Sequence, residues 1–120
     1  MANRDELAII RGARAGQADS QLALGKLYLF GSAGLPQNHL TALHWLDRAA
    51  RQNVEQAWLL IGEHISYECV SQSGQPLAFY DWYERSFVRG NAHAALVFAQ
   101  LVLAQDAAAL GVHAAPVDDV

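Results

Sequence analysis

Sliding the chain against itself by 37 positions brings one pattern into register, and this periodicity restricts the fold more than any other feature. Gly25 falls on Gly62, Leu22 on Leu59, Leu40 on Leu77, Trp45 on Trp82 and Arg48 on Arg85. Ser20 meets Ala57, Leu24 meets Ile61, Asp47 meets Glu84 and Ala49 meets Ser86. A second step carries Gly16 to Gly90, Ala18 to Ala92, Ser20 to Ala94, Leu22 to Leu96 and Leu24 to Phe98. Stepping backward, Arg48 lands on Arg11 and Leu46 on Ile9. A unit this short cannot bury an apolar face alone, so successive units must stack on one another.

Each unit reads as two helices. In the first, Ala18, Leu22, Gly25 and Leu29 recur at helical spacing, and Leu24, Leu27 and Tyr28 widen the apolar face. Residues 31–36 (Gly-Ser-Ala-Gly-Leu-Pro) break it. Asn38 is placed to cap a second helix carrying Leu40, Leu43, Trp45, Leu46, Ala49 and Ala50. Gln52 and Asn53 end that helix, Asn tolerating the left-handed conformation of a C-cap. The second unit predicts a helix over residues 54–68, a Ser/Gln/Gly loop, then Pro76 opening a helix that Gly90 closes.

Small residues at 20, 57 and 94 and at 25, 62 and 99 let helix axes approach closely, while Trp45 and Trp82 fill the wider gaps. The expected fold class is therefore all-α: a solenoid of antiparallel helix pairs with six helices and no strands. The expected domain spans residues 1–110, divided into a half unit (3–15), two repeats (16–52 and 53–89) and a terminal half unit (90–110). Residues 111–120 read as a flexible tail, and their last four, 117–120, as a solvated terminus rather than a carboxylate-terminal peptide ligand.

Composition removes several classes of function. Hydrophobic residues make up 52% of the 120 and charged residues 17%, which excludes an intrinsically disordered chain. A net charge of −4, from 8 basic against 12 acidic groups, argues against nucleic acid as a partner. Cys69 is the single cysteine, so no internal disulfide forms and no oxidising compartment is indicated. Only four apolar residues, 7–10, follow the charged start, too few for a secretory signal. The longest uncharged stretch, residues 90–105, is short of a membrane span, so no membrane contact and a cytoplasmic location are expected. Twenty-two alanines, and seven arginines for one lysine, fit a GC-rich bacterial source.

These residues resemble the SEL-one-like repeat family, relatives of the tetratricopeptide repeats. Ala18, Asp19, Ser20, Gln21, Leu24, Gly25, Tyr28, Gly31, Ala42, Trp45 and the run Arg48, Ala49, Ala50 follow the family pattern. The loop from Gly31 to Gly34 is one residue longer than the family's, and Asn38 stands for its usual Asp. The second unit keeps Ala57, Gly62, Trp82 and Arg85 but loses both loop glycines. The resemblance covers residues 13 to 103 and implies a right-handed superhelix serving as a scaffold for protein–protein contact. It further implies that the first helix of each unit lines a concave groove. Three rows follow: Asp19, Gln56 and His93; Leu22, Leu59 and Leu96; Lys26, Glu63 and Gln100, with Tyr67 and Leu29 nearby. The leucine row either faces a bound peptide or packs between adjacent helices.

Motifs for chemistry are scarce. No pair among His39, His44, His64, His93 and His113 has the spacing of a zinc-binding helix, and no Cys-x-x-Cys is present. His64, Glu68 and Cys69 are the nearest thing to a cluster, and a solvated helix end is the plainer reading. The loop at Gly31 lacks the lysine and preceding strand of a phosphate loop. No cofactor and no catalytic residue are expected. Arg11, Arg48 and Arg85 sit where each stabilises a helix C-terminus by about 0.3–1 kcal/mol, a reading preferred over a basic row for an acidic partner.

The last helix is apolar almost all round, from Ala94 through Ala104, which normally means burial on every side. A solenoid terminus should instead carry a polar outer face. Either the tail, residues 111–120, folds back over this helix or another subunit covers it. The tail has few large apolar groups, so a homodimer seam of Val97, Leu101, Ala104 and Ala108 is the expected resolution. The expected function is a non-enzymatic adaptor that binds a protein or peptide in its groove. The alternatives are a dedicated binding inhibitor, such as an immunity protein or secretion chaperone, and more remotely a hydrolase or metal-dependent enzyme.

Overall fold

The computed structural model describes residues 3–110, so the terminal segment assigned to residues 111–120, with His113, lies outside the described residues. Every regular element among those described is helical: α1 (Arg4–Arg14), α2 (Ala18–Phe30), α3 (His39–Ala50), α4 (Glu55–His64), α5 (Tyr67–Gln72), α6 (Tyr80–Val88) and α7 (Ala92–Ala109). A single 3₁₀ turn, Pro76–Phe79, leads into α6.

Local chemistry sets the boundaries. Asn3 and Glu6 form a reciprocal capping box on α1. The side chains of Asn38 and Asn91 accept from Thr41 N at 3.0 Å and Ala94 N at 2.8 Å, satisfying otherwise orphaned first-turn donors. Gly31 ends α2 at a φ of 82°, a conformation costly for any residue with a β-carbon. Asn53, at a φ of 68°, turns the chain between α3 and α4.

The second unit departs from expectation. A single helix over residues 54–68 is predicted, yet α4 stops at His64 and α5 starts afresh at Tyr67, giving seven α-helices rather than six. Ile65 adopts φ −95° and ψ 121°, and Ser66 follows with its hydroxyl accepting from Cys69 N at 3.2 Å. The break is held from outside: the buried Tyr83 hydroxyl donates to the Ile65 carbonyl at 2.8 Å. A neighbouring helix thus supplies the partner that the interrupted helical ladder leaves wanting.

Helices pack largely in series, α1 on α2, α2 on α3, α3 on α4, α4 on α6 and α6 on α7, with α7 also touching α4. The molecule is elongated, extending 52 × 29 × 24 Å. Close approach is purchased with small residues. A β-carbon on Gly25 would lie 2.6 Å from the Leu46 side chain of α3, and one on Gly62 would overlap the Ser86 side chain of α6. The core runs through Leu43, Leu46, Ile61, Ile65, Tyr83, Val97 and Leu101. Its buried polar groups are paired: Ser86 donates to Trp58 O at 3.0 Å, and Gln21 Nε2 donates to Ala13 O at 3.3 Å while its oxygen accepts from Gln52.

The expected seam on α7 is overturned for its two large residues. Val97 and Leu101 are fully buried within the chain, inside the core, so no second subunit reaches them; Ala104 is half-buried and Ala108 exposed. The outward face of α7 carries Leu96, Ala99 and Leu103 instead.

Candidate protein-interaction surface

The three expected rows run over α2, α4 and α7. Asp19 and Gln56 are exposed, whereas His93 is half-buried and bonds through Nδ1 to the Gly62 carbonyl at 2.8 Å. His93 thereby ties α7 to α4 through the backbone opened by a glycine. In the third row Glu63 is exposed, and Lys26 and Gln100 are half-buried. Tyr67, on the far side of the helix break, is half-buried and packs on the core.

The leucine row divides. Leu22 and Leu59 are half-buried and pack against the core, whereas Leu96 is 62% exposed. The face formed by α2 and α4 is therefore polar at its surface, with Asp19, Gln56 and Glu63 projecting and the leucines beneath them.

The periodic arginines occupy the last turns of α1, α3 and α6. Arg48 lies over Trp45 at 5.7 Å, and Arg85 lies between the rings of Trp82 at 5.2 Å and Trp58 at 6.0 Å. Trp82 is further fixed by its Nε1–H, which donates to Asp47 at 2.7 Å. Face-on contact between a guanidinium and an indole is worth about 0.5–1 kcal/mol at exposed positions.

Sequence reasoning missed a cleft of about 380 Å³ where α4, α6 and α7 meet. Trp58, Phe87, Val88 and Phe98 supply its apolar walls, and Glu84, Arg85 and Arg89 complete the lining. Phe87 and Phe98 stack at 5.6 Å, and Arg89 pairs with Glu55 at 3.1 Å. Val88 is 76% exposed. The available signal was Phe87-Val88 at the end of a helix whose inward positions are Trp82, Tyr83 and Ser86.

The remote catalytic cluster comes apart. The break at Ile65 and Ser66 places His64 and Glu68 on different helices. His64 meets the ring of Phe30 edge-on at 5.2 Å, and Cys69 is buried. Burial pushes the Cys69 thiol above its ordinary pKa, away from the thiolate that nucleophilic work requires. Among the described residues, no three of His, Cys, Asp and Glu stand close enough to hold a metal. By length and composition α7 passes for a membrane-spanning segment, although Ala94, Val97 and Leu101 along it belong to the core.

No curated protein and no solved structure matches the chain. A family model described as the Sel1 repeat matches residues 18–54, which are α2, α3 and the turn after them. Sel1 repeats in general mediate protein–protein interaction and are typically non-catalytic. With Gly25 seated on Leu46 and Trp45 beside Arg48, residues 18–54 carry the sequence and the packing of one Sel1 repeat.

Proposed function

We propose that this chain is a scaffold, a right-handed solenoid of 37-residue helix pairs, and that another protein or peptide docks on the face formed by α2, α4 and α7. The carrying observation is the set of polar side chains on that face. Among the described residues, Asp19, Lys26, Gln56 and Gln100 make no side-chain hydrogen bond within the chain, although their helices are tightly packed beneath them. Such groups on a rigid support are free to be read by a partner's backbone and side chains. The mixture of one cation (Lys26), two carboxylates (Asp19 and Glu63) and two amides (Gln56 and Gln100) suits an extended, moderately polar segment better than a strongly charged one.

A second reading rests on the cleft lined by Trp58, Phe87, Val88 and Phe98. An exposed apolar recess of this kind suits an anchoring apolar side chain from a partner. This would be the mode of a dedicated inhibitor whose target covers the end of the molecule.

Co-purification with the tagged chain at native expression separates the two. Asp19→Arg, Gln56→Arg and Glu63→Arg together should abolish recovery of the bound protein, while Val88→Asp leaves it intact. Loss with Val88→Asp alone would move the docking site to the cleft. A partner retained by both variants would refute both sites.

A further inference from the structure

The outward stripe of α7 has a counterpart in each helix that precedes it at the repeat spacing. Ala92, Leu96, Ala99 and Leu103 take the places of Ala18, Leu22, Gly25 and Leu29 in α2. In α2 that stripe is covered: Gly25 lies against Leu46 of α3, and Leu29 is buried. In α4 the corresponding Gly62 lies against Ser86 of α6. On α7 the same positions meet no helix among the described residues, and Leu96 and Leu103 are 62% and 68% exposed. A surface shaped to receive a helix is left open.

We propose that a second copy of this chain covers it, the two α7 helices meeting antiparallel about a two-fold axis at Ala99. Two features favour a copy over a different helix. The stripe is symmetric about Ala99: Leu96 lies three residues before it and Leu103 four after it, so each leucine faces the other's counterpart beside a close Ala99–Ala99 crossing. Isologous contact requires this kind of self-complementarity. The charge pattern also selects the direction. Asp106 is the only charged residue in α7. An antiparallel pair brings each Asp106 toward the partner's helix N-terminus, where a carboxylate is favoured, whereas a parallel pair sets the two carboxylates side by side. This seam is distinct from the α2–α4–α7 docking rows except at Leu96, and it stands or falls without them.

The test is light scattering behind size exclusion over a concentration series, with two kinds of variant. The wild-type chain is expected to run as a dimer that dissociates on dilution, and Leu103→Asp as a monomer with unchanged helical circular dichroism. Ala99→Cys should form a disulfide-linked dimer under mild oxidation, while Ala92→Cys should not; the native Cys69 is buried and does not interfere. Three results would overturn the proposal: a wild-type monomer at every concentration, including one that floats with lipid vesicles; a dimer indifferent to Leu103→Asp; or cross-linking through residue 92 in place of 99.

Discussion

Replacing Gly62 with alanine tests the close approach of α4 and α6 on which the helix packing depends. Away from tertiary contacts, a Gly→Ala change inside a helix stabilises by about 1 kcal/mol. Here the new methyl would overlap both Cβ and Oγ of Ser86 and press on the Ala94 methyl at 3.3 Å. Ser86 Cβ is fixed to its backbone and fully buried, so the two helices must separate. Overpacking of this kind costs about 1–3 kcal/mol. Separation also breaks the 3.0 Å hydrogen bond from Ser86 to Trp58 O, a loss of about 1 kcal/mol. The sum, after crediting helix propensity, is a net destabilisation of about 1–3 kcal/mol. Urea denaturation should show it as a lower midpoint with an unchanged slope. A double-mutant cycle identifies the cause: Ser86→Gly should couple favourably with Gly62→Ala, whereas Ser86→Ala, which keeps the obstructing β-carbon, should not. A Gly62→Ala chain as stable as wild type, or more so, would refute the reasoning.

Tyr83→Phe removes the donor to the buried Ile65 carbonyl and should cost about 1–3 kcal/mol in the same assay; an unchanged midpoint would mean that the helix break does not depend on it. Cys69, buried and with its thiol pushed up, should resist thiol reagents in the folded protein and react promptly in denaturant; rapid labelling without denaturant would contradict the packing of α5. The Ser32 hydroxyl, with the Asn3 backbone N–H behind it, donates to the Glu6 carboxylate and holds its pKa below the usual value. A lowered folded-state pKa gives stability that is full above the ordinary glutamate range and is lost as pH falls through the lowered value. Glu6→Gln should therefore flatten the acid limb of the stability profile, and an identical limb in that variant would remove Glu6 from the account.

How far the structure could be read from the sequence varied with what each signal depends on. Caps depend on local chemistry, so Asn38, Asn53 and Gly90 marked their boundaries correctly. The break at Ile65 was illegible because Ile65 and Tyr67 continue the apolar pattern of α4, and the group that holds the break, Tyr83, is 18 residues away. Ser66 was the one local hint, being a good cap three residues before Cys69. The faces of α7 could not be ordered from sequence for a different reason. A helix apolar all round has no periodicity to separate inside from outside, so the pattern alone does not reveal that Val97 and Leu101 fill the core. The cleft beside Trp58 forms only where three helices converge, and no linear motif announces that. In the docking rows the residue types were legible, but the division between half-buried Leu22 and Leu59 and exposed Leu96 depends on which neighbouring helices pack against each.

The central claim is that the face formed by α2, α4 and α7 docks another protein. A photo-cross-linking side chain placed at Gln56, exposed in the middle of that face, tests it most directly in living cells, with the same probe at Arg14 on α1 as the reference. The account predicts one discrete adduct from position 56, absent from position 14 and lost when Asp19→Arg and Glu63→Arg are added. Equal adducts from both positions, or none from position 56 while the chain still co-purifies with its partner, would contradict it.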